Sequence, residues 1–266
     1  MKIVLWIGNE SNQKALANKI HELYPISGIV LETRTKKKKL TLGPFFSKAI
    51  ERIFLPSIGR AWWGMKKRYD DAYSDYPKTK ILHVTKINQP EVFDFTKELK
   101  PDLILVSGTG LIKEPLLSLK TIHGILNLHA GLSPYIKGGP NCTNWCLATK
   151  QFHLIGNTIM LLDAGIDSGN IVASETTAFN GKEDLAAIHI KVMDHAHDLY
   201  LKAITKISSG SLSETKQSEM GSGTTYYNKQ WGLKEKIALN KNISKFQIAF
   251  KNGSIKRLQE NLRTVK

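Results

Sequence analysis

The sequence contains very little cysteine. Its 266 residues include two cysteines, Cys142 and Cys146, four positions apart and so about one helical turn from each other. Two such residues do not form a disulfide framework, and their spacing favours reduced thiols in a cytosolic protein. A chain of this length buries about 70–75% of its unfolded surface, so it needs no covalent or metal cross-link to hold its core.

Long apolar runs are also absent. The apolar run in the amino-terminal segment MKIVLWIGNE stops after six residues, and no later stretch approaches the length of a membrane span. A signal peptide needs a longer apolar core and a small-residue cleavage site. We therefore expect a cytoplasmic protein that is not attached to a membrane.

Acidic residues are scarce relative to basic ones. The sequence has 38 Lys and Arg against 23 Asp and Glu, which gives a formal charge of +15. Much of the excess lies in residues 34–80 and in residues 201–266, where 13 basic residues face 4 acidic ones. One explanation for such an excess is solvated surface lysine. The other is a function in attracting an anion, such as a nucleotide-linked substrate, a polyglutamylated cofactor or RNA. Charge alone leaves these alternatives open.

Short β-rich runs alternate with amphipathic segments along most of the chain. Residues 2–7 and 28–32 are predicted strands, separated by a helix that Ser11 could cap. Further strands are predicted at 103–106, 125–129, 158–162 and 171–176, and helices at 88–98 (capped by Asn88), 141–150 and 183–207. This alternation predicts an α/β domain over residues 1–207, with a Rossmann-like, mostly parallel sheet flanked by helices.

Two regions depart from the alternation. Residues 33–80 form a basic, aromatic insertion with helices expected at 47–54 and 61–69, and its Trp62-Trp63 pair either packs or stacks a nucleobase. Residues 208–266 begin with a linker-like Ser/Gly stretch and form a C-terminal extension. The aromatic residues Tyr226, Tyr227 and Trp231 predict that this extension folds back onto the domain or forms a homodimer contact.

Two polar residues, Asn127 and His129, end the predicted strand 125–129. Alternation along a strand places both side chains on one side of the sheet, with Leu128 opposite. Packing explains such a pair poorly, although a buried Asn and His bonded to backbone remain the alternative. The loop 163–169 supplies Asp167, a carboxylate that can orient an imidazole, or it is a plain Asp/Gly turn.

Small residues follow the predicted strand 103–106. The sequence Ser-Gly-Thr-Gly at 107–110 lies at the sheet edge where α/β folds bind ligands, and its glycines allow a flat ligand close to the backbone. Neither this loop nor the one after the first strand has the glycine spacing of a dinucleotide fingerprint. The two cysteines and the scattered histidines match no common zinc spacing, so we expect no metal site.

Together, these motifs resemble the formyltransferase family that uses 10-formyltetrahydrofolate. The family's Asn-x-His motif corresponds to residues 127–129, its Gly/Pro loop to 129–138, and its signature loop to 156–169, and Asp167 follows His129 by 38 positions. The resemblance extends more loosely from residue 1 to about 207. The tail is too short for the barrel domain of methionyl-tRNA formyltransferase, and glycinamide ribonucleotide formyltransferase lacks both the insertion and the tail. The layout is nearest to that of small sugar N-formyltransferases.

The resemblance implies transfer of a formyl group from 10-formyltetrahydrofolate to a primary amine. Asn127 would stabilise the tetrahedral oxyanion, a role typically worth about 2.7–4 kcal/mol. His129 would polarise the carbonyl or move protons, and Asp167 would hold the imidazole and help to remove the amine proton. The residues implied to line the pterin slot are Gly110, Leu111, Ile112, Leu162, Asp163 and Gly165.

The acceptor implied first is the amine of a nucleotide-linked amino sugar. Aminoacyl-tRNA, which the basic surface would suit, and glycinamide ribonucleotide are the enzymatic alternatives. Steeply salt-dependent tRNA binding would favour the first of these. The alternative from another class is a non-catalytic folate- or nucleotide-binding protein, which predicts erosion of the Asn/His/Asp set, whereas all three residues are present.

Overall fold

A seven-stranded sheet organises the protein in a computed structural model that describes residues 1–34 and 55–265. The strand order is β3-β2-β1-β4-β5-β7-β8; the first five strands are parallel, β7 runs antiparallel to them, and β8, antiparallel to β7, again has their direction. The strands are β1 (Ile3–Gly8), β2 (Ile26–Glu32), β3 (Lys80–Val84), β4 (Leu103–Ser107), β5 (Ile125–His129), β7 (Gly156–Leu161) and β8 (Ile171–Thr176). The mostly parallel α/β fold predicted from the sequence is confirmed.

Helices cover the sheet, and a small second sheet pairs β6 (Ile136–Gly138) with β9 (Thr224–Tyr226). The helices of the described ranges are α1 (Ser11–Leu23), α2 (Pro56–Ala72), α3 (Pro90–Leu99), α4 (Cys142–Thr149), α5 (Leu185–Ser208), α6 (Gln217–Met220), α7 (Leu233–Lys251) and α8 (Ser254–Gln259). Short 3₁₀ turns lie at Leu116–Ser118, Phe152–Leu154 and Asn228–Gln230. None of these described helices combines the length and apolar character needed to cross a membrane.

Alternation along the strands gives the sheet two apolar faces. One face presents Leu5, Leu105 and Leu126 to α1 and α5, whereas the other presents Trp6 and Val106 to α3. Each fully buried side chain of this size contributes about 1.5–3 kcal/mol relative to an exposed one. The central strands are apolar on both faces because helices and loops cover both, as is usual for parallel sheets.

Two predictions about the amino-terminal half were wrong, and one strand was missed. Ser11 does not cap α1, whose N-cap is Glu10; its hydroxyl instead donates to Asp70 at 2.7 Å. Asn88 does not cap α3, because Pro90 occupies the first turn of that helix and Gln89 is its N-cap. Strand β3 was not predicted, because this edge strand is mostly half-buried or exposed and lacks an apolar run.

Helix α2 is the described part of the basic insertion. It packs on α1 and α5 through the buried residues Met65 and Tyr69, and the Tyr69 hydroxyl donates to Asp194 at 2.7 Å. Trp62 and Trp63 are 40% and 65% exposed, and Trp62 meets the His189 ring edge-on with ring centroids 6.2 Å apart, so the packing of this pair on the described residues is partial. The helix predicted at 47–54 lies outside the described residues.

The C-terminal segment folds back onto the domain, one of the two arrangements predicted for its aromatic residues. Trp145 of α4 stacks on Tyr226, with ring centroids 4.1 Å apart, and meets Trp231 edge-on. The Asn242 side-chain amide in α7 donates to the Leu147 and Ala148 carbonyls at the end of α4, both at 3.0 Å. A homodimer contact and a domain boundary at residue 207 stay predictions.

Candidate active site

A cavity of about 360 Å³ opens beside the carboxyl end of β4 and against β5 and β7. This volume lies within the range of small-molecule sites. Eight of the nine predicted site residues line it, namely Asn127, Asp167, Gly110, Leu111, Ile112, Leu162, Asp163 and Gly165. The fold therefore brings together three stretches that are far apart in the sequence, although the role of each residue stays a prediction.

Asn127 projects into this cavity from the middle of the sheet. It pairs in register with Val106 of β4 and Met160 of β7, and all three side chains line the cavity. Because cross-strand partners point to the same face, the Asn127 amide is flanked on both sides by apolar groups. A side-chain donor held in such surroundings suits the stabilisation of negative charge on a ligand.

His129 lies behind the cavity wall, whereas the sequence suggested that it would lie in the cavity itself. Its side chain is 8% exposed and is not part of the lining. Its Nδ1 is 3.3 Å from Oδ2 of Asp167, and its Nε2 is 3.3 Å from the Ile136 carbonyl oxygen and 3.5 Å from Cys142 Sγ. His129 therefore meets the cavity through Asp167, which lines it, and its role in polarising a carbonyl or moving protons stays a prediction.

The surroundings of His129 favour its protonated form. Burial alone lowers its pKa, but the Asp167 carboxylate, with Cys142 and the Ile136 carbonyl, raises the pKa to about 9. An imidazolium donates from both ring nitrogens, and here an acceptor oxygen faces each of them. At neutral pH the two residues thus form a buried imidazolium–carboxylate pair.

Asp167 adopts a backbone conformation that is uncommon outside glycine. Its φ is +48°, in the left-handed region, and such conformations persist only where the surrounding structure holds them. Oδ2 accepts from the Gly138 amide at 2.9 Å and also faces His129. The carboxylate is therefore fixed from two sides while Asp167 lines the cavity.

The rest of the 163–169 loop is an Asp-based turn. Oδ1 of Asp163 accepts from the Gly165 amide at 3.0 Å and from the Ser168 hydroxyl at 2.6 Å. The turn alternative considered from the sequence thus describes Asp163. Asp167 of the same loop instead contacts the Gly138 amide and His129. One loop contains a structural carboxylate and a second carboxylate paired with a histidine.

Two side chains that sequence reasoning missed hold the glycine loop after β4. Glu32, 4% exposed, accepts from the Gly110 amide at 2.7 Å, the Ile87 amide at 2.9 Å and Arg34 Nε at 2.8 Å. Asn88 accepts from the Lys113 amide and donates to the Leu111 carbonyl, both at 2.8 Å. These bonds fix the wall that contains Gly110, Leu111 and Ile112.

The C-terminal segment completes the cavity, which the sequence did not predict. Tyr226, Tyr227 and Asn228 line it together with Gly138 and Gly139. Strand β9 reaches this position by pairing with β6, and a Cβ at Gly138 (φ +86°) would collide with the Tyr226 carbonyl. The presence of Tyr226 and Tyr227 in a linker-like tail was the sequence feature that pointed to ordered structure there.

Metal ligands are not clustered in this part of the molecule. Within residues 1–34 and 55–265, no group of three or more His, Cys, Asp or Glu side chains could hold a metal ion.

Comparison with known proteins assigns the family. A family model described as formyl transferase matches residues 63–204, slightly more than half of the chain. The chain belongs to the formyl transferase family. The matched range includes Asn127, His129 and Asp167 and leaves the C-terminal segment outside.

A methionyl-tRNA formyltransferase from Geobacter metallireducens is 30% identical to this chain over 140 residues. The alignment covers 52% of this chain and 44% of that relative, so the match spans less than half of the relative's length.

Two solved structures share the fold. An N-formyltransferase from Helicobacter canadensis, in complex with folinic acid and dTDP-3-aminofucose, aligns over 92% of this chain and 81% of its own, with a TM-score of 0.57 and 13% identity. A 4-N formyltransferase from Francisella tularensis aligns over 90% and 86%, with a TM-score of 0.55 and 17% identity. At these identities, the likeness shows the fold alone.

Proposed function

We propose that this formyl transferase moves a formyl group from 10-formyltetrahydrofolate to the primary amine of a small molecule, and that a nucleotide-linked amino sugar is the acceptor class. The observation that carries the proposal is the position of Asn127 and Asp167 in one cavity, between the 110–112 and 162–165 walls. When an amine attacks a carbonyl carbon, the reaction requires two groups. One is a donor that stabilises the charge on the oxygen, and the other is a carboxylate that can accept a proton.

The two cavity walls fit a flat folate head group. The backbone of residues 110–112, held by Glu32, and that of residues 162–165 would hold the pterin ring. A Cβ at Gly110 would come within 3.3 Å of Glu32 Oε1, so a side chain there would disturb the anchoring carboxylate. When bound, the folate supplies the formyl group. The folinic acid in the Helicobacter canadensis structure supports this assignment.

Each polar residue of the site then has a distinct task. The Asn127 amide donates to the oxygen that gains negative charge, a contribution of about 2.7–4 kcal/mol for a side-chain donor of this kind. Asp167 accepts a proton from the attacking amine. The protonated His129 keeps the Asp167 carboxylate oriented, because its Nδ1 faces Oδ2 at 3.3 Å.

Features at the rim of the cavity support a nucleotide-linked acceptor. The Arg34 guanidinium lines the cavity with about half of its side chain exposed, and Tyr227, 48% exposed, lies in the same lining. A guanidinium suits a phosphate and an aromatic ring suits a base or sugar. The dTDP-3-aminofucose bound to the Helicobacter canadensis protein supports the same acceptor class.

Aminoacyl-tRNA is the second candidate acceptor. The Geobacter metallireducens relative is a methionyl-tRNA formyltransferase, and the +15 charge of this chain suits a polyanion. The two candidates differ in salt dependence, because each phosphate contact to RNA releases counterions and makes affinity fall steeply with salt.

The test is incubation of the protein with 10-formyltetrahydrofolate and a panel of amines, with release of tetrahydrofolate as the readout. The panel contains dTDP-amino sugars, glycinamide ribonucleotide and methionyl-tRNA. We expect turnover with an amino sugar and little salt dependence of its KM. Turnover with methionyl-tRNA alone would replace the acceptor class, and the absence of both turnover and folate binding would contradict the proposal.

A further inference from the structure

The segment of residues 215–228, which we call the strap, contacts the site although it lies beyond the family match, which ends at residue 204. Its first residue, Thr215, exchanges two backbone hydrogen bonds of 2.8 Å with Ile171 of β8. Its far end contains β9, which pairs with β6. The strap is thus held by β8 at its first residue and by β6 at its far end.

Gln217 is the strap residue that contacts this loop. Its Nε2 donates to the carbonyl oxygens of Asp167 and Gly169, each at 2.8 Å. Its Oε1 is buried and has no hydrogen-bond partner among the described residues. The two carbonyls therefore set the orientation of the side-chain amide, and both of its N–H groups are used.

We propose that Gln217 is a positioning residue of the formyl transfer site, holding the 163–169 loop in the conformation that places the Asp167 carboxylate at the cavity and against His129. Its effect on turnover rests on the proposed function, whereas its effect on the Asp167–His129 pair does not. Nothing in the family match assigns a role to this residue, since it lies outside the matched range.

The backbone of Asp167 explains why the loop needs such a residue. A non-glycine residue with a φ of +48° stays in that conformation only when its surroundings hold it. The Gly138 amide holds the carboxylate of Asp167, and Gln217 holds its carbonyl. Without the second contact, the peptide following Asp167 is free to rotate and to move the carboxylate away from His129.

The Gln217 amide can donate to both carbonyls because its Nε2 carries two N–H groups. Gln217→Met keeps the size of the side chain and removes both N–H groups, and Gln217→Glu places a carboxylate against two carbonyl oxygens. Gln247→Ala is the matched control, because Gln247 is also a partly buried glutamine of the C-terminal segment and donates its amide to the backbone carbonyl of Glu183 at 3.1 Å.

The first measurement is an NMR titration of His129 in the full-length wild type, Gln217→Met, Gln217→Glu and Gln247→Ala. We expect the pKa of His129 to fall from about 9 toward or below 6.5 in both Gln217 variants and to stay unchanged in Gln247→Ala. An unchanged titration in both Gln217 variants would overturn the inference, whatever the activity of the protein. Loss of folding in both variants, with Gln247→Ala folded, would also overturn it, in favour of a general structural role.

The second measurement is steady-state formyl transfer with these proteins. A displacement of a reacting group of about 1 Å costs up to ~100-fold in rate, so we expect kcat to fall by 10- to 100-fold in the Gln217 variants, with a smaller change in the KM of the acceptor. Wild-type kcat in both Gln217 variants would contradict the inference. Absence of transfer by the wild type would instead count against the proposed function, and the NMR titration alone would then decide the inference.

Discussion

Replacement of Asp167 by asparagine tests the electrostatics of the site most sharply. The variant keeps the size and a hydrogen-bonding oxygen of the side chain but removes the charge that faces His129 at 3.3 Å. Burial then lowers the pKa of His129 without the Asp167 carboxylate to oppose it, so we expect this pKa to fall from about 9 to below the usual 6.5. The imidazole of the variant is neutral at pH 7, whereas that of the wild type is protonated.

The contribution of the Asp167–His129 pair to the free energy of unfolding follows from the linkage between proton binding and folding. The pKa of His129 is raised from 6.5 to about 9, and each unit corresponds to about 1.4 kcal/mol. Because the folded state binds the proton more tightly, the pair's contribution is fully present below pH 6.5 and is lost as the pH rises through 9. At pH 7 this amounts to about 2–3 kcal/mol of the free energy of unfolding.

The assay combines NMR titration of the histidine Cε1–H resonances with urea unfolding between pH 6 and 10. A His129→Gln variant assigns the resonance among the eight histidines. Asp163→Asn is the matched control, since Asp163 belongs to the same loop but bonds Gly165 and Ser168 instead of His129. A wild-type His129 that titrates near 6.5, or an unchanged titration in Asp167→Asn, would refute the reasoning.

Three further predictions concern separate parts of the molecule. Asn127→Ala removes the donor from the cavity and should lower kcat by about 10²–10³-fold while circular dichroism and the unfolding midpoint change little; near-normal turnover would exclude its role. Glu32→Gln removes the charged partner of the Gly110 amide and Arg34 and should weaken folinic acid binding by about tenfold in calorimetry; unchanged affinity would mean that Glu32 does not support that wall. Asn242→Ala leaves two carbonyls at the end of α4 without their donor and should lower the free energy of unfolding by about 1–3 kcal/mol in urea; a smaller change would show that water replaces the amide.

Local sequence patterns were sufficient for the central strands and for the side of the sheet on which Asn127 lies. Leu103–Ser107 is an apolar run of strand length, Ile125–His129 combines apolar residues with Asn127 and His129, and both strands lie in the middle of the sheet with both faces covered. Alternation predicts Asn127 and His129 on the face opposite Leu128, and Asn127 indeed lines the cavity whereas Leu128 packs in the core under the other face, because the two-residue period of a strand depends on nothing outside it. Both residues belong to elements whose structure is set locally.

The contacts that hold the site residues in place join residues far apart in the chain, so no local sequence pattern predicts them. Glu32 reaches Gly110 across 78 positions and Gln217 reaches Asp167 across 50, so neither partner could be inferred from its neighbours in the sequence. The position of His129 depends on Ile136 and Cys142, which pack around its ring after the Gly/Pro loop turns back. Residues 226–228 enter the cavity only because β9 pairs with β6.

The measurement that tests the central claim most directly follows the formyl carbon itself. The protein is incubated with 10-formyltetrahydrofolate labelled in the formyl group and with a dTDP-amino sugar, and the acceptor is then analysed by mass spectrometry and NMR. The account predicts a labelled N-formyl product that is formed by the wild type and, at most, slowly by Asn127→Ala and Asp167→Asn. Label that stays on the folate with every amine tested, or transfer at the wild-type rate by both variants, would contradict it.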